Sequence, residues 1–264
     1  MTIYEWVRNR EIRGRVTFTM EELKRAFSDK SNETIQSELN RLAKKGYVSS
    51  VYRGFYVVVP VQYQLKGIVP PTYYIDQLMQ YVGKPYYLSL LSAAAMHGAS
   101  HQAVMVTQVT TVAPRIKCSS KNPYLNWNYR KQIPEGLLLT KNAEMGVVRY
   151  SNPELTAVDL VQFANHVGGY QRAATVLAEL FEVIDMEKMA TTVPYTTMAT
   201  LQRLGYMLEY VLEEKEKADA LFEILKERKP WNSILLRNDR PRNAASQSNR
   251  WCVNGNVEIE IDDI

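Results

Sequence analysis

The chain reads as an α+β protein, with an N-terminal winged helix-turn-helix joined to a larger mixed α/β C-terminal domain that is mainly helical in its last third. Three observations lead there. Three short amphipathic helical patterns run into a two-strand pattern within the first 59 residues. Consecutive prolines, Pro70 and Pro71, then mark a boundary. Charge is also divided unevenly: residues 1–66 hold 12 Lys and Arg against 7 Asp and Glu, whereas residues 67–264 hold 20 against 21. The net charge of +4 is therefore a surplus of five on a 66-residue segment set against a nearly neutral remainder.

The first helix is expected over Thr2–Arg13, with Ile3, Trp6, Val7 and Ile12 apolar and Gly14 as its stop. Val16–Thr19 reads as a very short strand. Thr19 is placed to cap a second helix over Met20–Phe27, with Glu22 reaching back in a capping box. The turn Asp29–Asn32 then offers Ser31 or Asn32 as the cap of a third helix that ends at Lys45, before Gly46. Within it Ile35, Leu39 and Leu42 fall on one face, which leaves Thr34, Gln36, Ser37, Asn40, Arg41 and Lys44 outside. Tyr47–Val59 forms two strand-like runs meeting at Arg53-Gly54.

Helix, turn, helix and hairpin in that order predict a winged helix-turn-helix with Glu33–Lys45 as the recognition helix. Hydrogen-bonding side chains of moderate length interspersed with cations suit a major groove, where polar groups meet base edges and cations meet phosphates. The expected DNA-binding residues are Thr34, Gln36, Ser37, Asn40 and Arg41 in the groove. Lys44, Lys45 and Arg53 are expected on phosphates, with an adjacent minor groove as the other place for Arg53. Arg8 and Arg10 suit either a phosphate path or a solvated helix face. Winged helices also dock proteins, so a protein-interaction module and a plain transcription factor stand beside the DNA-reading regulator as alternatives.

A linker is expected over 60–71, giving domains 1–66 and 67–264. In the second, helices are expected over Tyr73–Gln80, Tyr86–His97, Thr156–Val167, Tyr170–Asp185 and, as two pieces, Thr196–Arg228. Strands are expected over Val104–Val112, Leu137–Thr140 and Val147–Tyr150. A terminal strand or hairpin is expected within Trp251–Ile261, turning at Asn254-Gly255.

Chemistry is sparse. His97 and His101 stand four apart, but Gly98 intervenes and no HExxH carboxylate accompanies them, so no metal site is expected. No P-loop, GxSxG or kinase signature is present, and neither catalytic residues nor a cofactor is expected. Cys118 and Cys252 are far apart and outside any CxxC pattern. With no apolar run long enough to span a bilayer and no secretion signal read at the N-terminus, a cytoplasmic protein is expected, without membrane attachment. Gly205, inside an otherwise good helix, costs about 1 kcal/mol relative to alanine, so close packing is expected at that point, with an exposed arginine, Arg203, near a binding surface as the functional alternative.

The helix end Ala95-Met-His-Gly98, the strand leading to Pro114-Arg115, Arg203-Leu-Gly-Tyr206 in a late helix and Trp251-Cys-Val-Asn254 near the end follow one another in a distinctive order. With Leu39–Gly46 and Arg53-Gly-Phe-Tyr56 ahead of them, they make the chain resemble the AbiEi-like antitoxins, regulators of abortive-infection (type IV) toxin–antitoxin operons. The resemblance implies a repressor of its own operon that binds double-stranded operator DNA; a palindromic operator would point to paired half-sites, and so to a dimer on DNA. It also implies a functional link, without a required stable complex, to a nucleotidyltransferase-like toxin.

Overall fold

A computed structural model describes residues 1–65, 68–99, 105–118, 124–143 and 146–261. The first helix, α1 (Ile3–Ile12), is opened by Thr2, whose hydroxyl accepts from the Glu5 amide while the Glu5 carboxylate accepts from the Thr2 amide. The same reciprocal box at Thr19 and Glu22 starts α2 (Met20–Ala26), directly after β1 (Thr17–Thr19). Each box satisfies two backbone N–H groups that a helix start otherwise leaves unpaired. Helix α3 (Asn32–Lys44) is capped by Ser31, and β2 (Val48–Tyr52) and β3 (Phe55–Val58) follow as an antiparallel hairpin. β1 joins the far side of β3, so the sheet order is β1-β3-β2.

One apolar cluster holds these elements together. Ile3 and Val7 of α1, Leu23 of α2, Ile35, Leu39 and Leu42 of α3, and Phe18, Val48, Tyr56 and Val58 of the sheet are buried together. The spacing that marked Ile35, Leu39 and Leu42 as one face is thus the spacing that packs α3 against the sheet.

After α4 (Val61–Gln64) the chain forms α5 (Ile75–Val82), which ends at Gly83 in the left-handed region, φ +70°. Next come β4 (Tyr86–Leu88), α6 (Leu90–Met96), β5 (Thr107–Val112) and β6 (Leu125–Arg130). They are followed by β7 (Leu138–Ala143) and β8 (Gly146–Ser151), which complete a five-stranded sheet in the order β6-β5-β4-β8-β7. β5 pairs with β6 in parallel over six residues, from Thr107↔Leu125 to Val112↔Arg130.

In this region two elements depart from the sequence reading. The helix expected over Tyr86–His97 is a strand followed by a helix: Tyr86, Tyr87 and Leu88 are buried in the sheet, and α6 starts only at Leu90. Aromatic residues suit a pleated, buried surface better than a helix; Ser89 separates the two elements, and Leu90, at φ +53°, opens the helix. β6 was not anticipated. Its Asn126 and Asn128 have low strand propensity, but parallel pairing with β5 buries Asn128 inside the sheet.

The last third is helical: α7 (Pro153–Gln162), α8 (Tyr170–Leu180), α9 (Met186–Met189), α10 (Met198–Tyr210) and α11 (Lys215–Leu225). α7 is buried all round from Glu154 to Val161, the pattern of a central helix. It begins three residues before the expected Thr156, because Asn152 caps it and Pro153 fits the first helical position. The stretch Thr196–Arg228 is two helices, as expected. Of the strand or hairpin expected within Trp251–Ile261, the strand forms and, among the described residues, the hairpin does not. Instead β10 (Val253–Asn254) runs parallel to β9 (Ile234–Leu235), and the amide of Asn256 donates to the carbonyls of Arg237, Arg240 and Pro241. The asparagines that suggested a turn serve to bind neighbouring loops.

The chain forms two compact units, one of residues 1–87, 105–133 and 140–149, the other of residues 88–104, 134–139 and 150–264. No helix among the described residues is long and apolar enough to cross a membrane.

Candidate nucleic-acid interface

At about 100° per residue, burying Ile35, Leu39 and Leu42 turns the opposite side of α3 outward. Glu33, Gln36, Ser37, Asn40, Arg41 and Lys44 line a shallow open depression along that side. All eight residues expected at the interface, Arg53 included, are exposed. Five of them therefore share one helix surface, while Thr34 sits in the first turn of α3, Lys45 directly follows the helix and Arg53 stands at the turn of the β2–β3 hairpin.

Hydrogen bonds order the middle of the stripe. The Gln36 amide donates to Oδ1 of Asn40 at 3.2 Å and its side chain also meets the Tyr56 hydroxyl from β3. Thr34 lies against the cap, its hydroxyl 3.1 Å from that of Ser31. The paired amides present donors and acceptors together, the arrangement an adenine edge can accept. Arg41 and Lys44 occupy the last turn, where cations also interact favourably with the helix dipole.

The ion pairs separate these cations from others nearby. Arg8 pairs with Glu11, and Lys30 with Glu38 at 2.7 Å. Arg10 lies over the Trp6 ring, donates to the Thr17 carbonyl at 2.5 Å and pairs with Glu22 at 3.5 Å. Burial holds its guanidinium below its ordinary pKa. Arg10 thus fastens α1 to β1 and α2. In contrast, Arg41, Lys44, Lys45 and Arg53 have no ion-pair partner among the described residues.

Glu33 escaped the sequence reading. It lies three and four residues before Gln36 and Ser37 and so shares their surface, a spacing that could have revealed it. Its own backbone N–H and the Ser31 hydroxyl hold its carboxyl below the usual carboxylate range, so it is anionic at neutral pH. An anion there repels phosphate and can accept from a cytosine amino group.

Other singled-out residues turn out to be structural. Nε2 of His97 donates to the Ser151 carbonyl at 2.8 Å and its ring lies 5.3 Å from that of Tyr150, while His101 lies outside the described residues. Among the described residues no group of three or more His, Cys, Asp and Glu side chains is placed to hold a metal ion. The Arg203 guanidinium donates to the carbonyls of Leu235 and Leu236 and to Asn238. Two positions on, Gly205 lies against Trp251: a Cβ on it would lie 2.2 Å from the indole ring. Trp251 is fully buried and its Nε1 donates to Glu209 at 2.7 Å. Tyr206 in turn covers Gly255, where a Cβ would meet its hydroxyl at 2.3 Å. The segments Arg203–Tyr206 and Trp251–Asn254 are thus two sides of one packing contact.

Residues 87–210, from β4 to the end of α10, match the family model of the AbiEi antitoxin C-terminal domain. That segment is AbiEi-like. The match assigns an antitoxin role in general terms and implies a toxin partner. The chain is also similar in fold to the crystal structure of the RV2827C protein from Mycobacterium tuberculosis, with a TM-score of 0.68 at 13% identity over 94% of this chain and 88% of that one. No curated protein matches its sequence.

Proposed function

We propose that the protein is a DNA-binding repressor and antitoxin. Its α1–β3 module is a winged helix-turn-helix that reads double-stranded operator DNA and represses its own operon. Its C-terminal domain counteracts a nucleotidyltransferase-like toxin without catalysing a reaction or needing a cofactor. The observation that carries the DNA half is the outer face of α3. It is a polar stripe whose two cations, Arg41 and Lys44, lack ion-pair partners among the described residues, opposite the face that buries Ile35, Leu39 and Leu42.

In this reading Gln36 and Asn40 meet base edges as a pair, with Thr34, Ser37 and Arg41 beside them. Lys44, Lys45 and Arg53 hold the phosphates on either side, which sets register and orientation. Gel-shift titration of the full chain against DNA upstream of its own gene should show binding that weakens steeply with salt. Absence of binding by the folded protein would sink the repressor role. For the antitoxin half, co-expression with the neighbouring toxin gene should restore growth. Failure of rescue with DNA binding intact leaves a plain transcription factor.

A further inference from the structure

The tip of the β2–β3 hairpin does not stand alone. Tyr81, on α5 and so outside both the α1–β3 module and the segment matched by the antitoxin family, packs on it within the same compact unit. The ring of Tyr81 lies 6.2 Å from that of Tyr52 on one side of the turn and 5.4 Å from that of Phe55 on the other. Its hydroxyl donates to the Arg53 carbonyl at 3.3 Å. It also fills the space in front of Gly54, where a Cβ would approach the hydroxyl oxygen to 2.7 Å. From β1's side, the Met20 amide donates to the Gly54 carbonyl at 2.8 Å. Both carbonyls at the tip are therefore held, while the Arg53 side chain is left exposed.

α5 is itself well anchored. Ile75, Leu78 and Met79 are buried, and the Tyr86 hydroxyl donates to Asp76 at 3.1 Å. The three-stranded sheet and its core hold the strands of the hairpin, so a fixed helix against the tip acts on the turn itself and on where the arginine points.

We propose that Tyr81 is a positioning residue of the DNA interface, holding the Arg53-Gly54 turn so that the Arg53 guanidinium meets the nucleic-acid backbone. It makes no DNA contact itself. The inference rests on the reading of the α1–β3 module as a DNA-binding winged helix. Pre-ordering the turn lowers the entropy lost when Arg53 engages, so the Tyr81 effect must pass through Arg53.

That dependence gives the test. Affinities of the full-length chain for the DNA upstream of its gene are measured for wild type, Tyr81→Ala, Tyr81→Phe, Arg53→Ala, Asn40→Ala and the doubles Tyr81→Ala/Arg53→Ala and Tyr81→Ala/Asn40→Ala. Thermal unfolding checks that each is folded. Tyr81→Ala should weaken binding about three- to tenfold in the wild-type background and less than about twofold once Arg53 is gone, because residues acting through one another are not additive. With Asn40→Ala the losses should multiply. Tyr81→Phe keeps the ring and should recover part of the affinity, and it carries the test if Tyr81→Ala does not fold. Wild-type affinity in Tyr81→Ala, or the same loss with and without Arg53, overturns the inference while leaving the DNA reading intact. So does an Arg53→Ala variant that binds like wild type. If the wild-type chain binds no DNA at all, both fall together.

Discussion

Gly205 shows how one residue's environment can reverse its intrinsic preference. Alanine favours a helix over glycine by about 1 kcal/mol, so propensity alone makes Gly205→Ala stabilising. The added methyl, however, would lie 2.2 Å from the Trp251 ring. That ring is fully buried and is held by hydrogen bonds at its indole N–H and its carbonyl. Overpacking of a fixed core costs about 1–3 kcal/mol, which outweighs the propensity gain at all but the low end of that range. Gly205→Ala should therefore lower the thermal unfolding midpoint, and a raised midpoint would show that the Trp251 contact is loose. The need for close packing at Gly205 could be read from the sequence, since a helical glycine otherwise has only a cost. The ring that meets it could not, because Trp251 is 46 residues away and joins α10 only through tertiary packing.

At the scale of elements, α3 has two sources of stability that differ in size and in consequence. The Ser31 cap satisfies a helix-end N–H and is worth about 1 kcal/mol, while truncating a buried leucine costs about 2–5 kcal/mol. Ser31→Ala should thus lower stability slightly and leave a folded module that binds operator DNA, whereas Leu39→Ala should cost several times as much. Urea unfolding of the two variants compares them directly. Equal losses would mean that α3 packs less tightly than its buried face indicates. The amphipathic elements, α1 to α3, the hairpin and the late helices, were legible because their periodicity and caps agree with the tertiary outcome. Tyr86–Leu88 and Leu125–Arg130 were not, since what makes them strands is pairing with β8 and β5, partners distant in sequence. The stripe on α3 was readable for the same reason as its buried face: one helix period sorts both. Glu33 was overlooked because attention to cations passes over an anion on the same surface.

For the whole molecule, the partition of charge carries a measurable consequence. Each phosphate neutralised on duplex DNA contributes roughly 0.9 to the slope of log affinity against log salt. If Lys44, Lys45 and Arg53 all face phosphate, replacing the three with glutamine should reduce that slope by about three, with the loss of affinity largest at low salt. An unchanged slope would move the electrostatic contact elsewhere on the chain. The nearly neutral remainder, residues 67–264, offers no comparable surplus of positive charge.

The sequence by itself determined the helices with a clear period, the face of α3 that turns outward, the uneven charge and the family likeness, because each is written in local spacing or in composition. Only the tertiary structure decided which cations are free to act. Arg10 and Arg203 look like surface arginines in sequence, yet one is bound to Trp6, Thr17 and Glu22 and the other to the carbonyls of Leu235 and Leu236. It also brought Tyr81 to the hairpin tip across 28 residues. A guanidinium's role depends on the acceptors around it, and those come from segments that meet only when the chain folds.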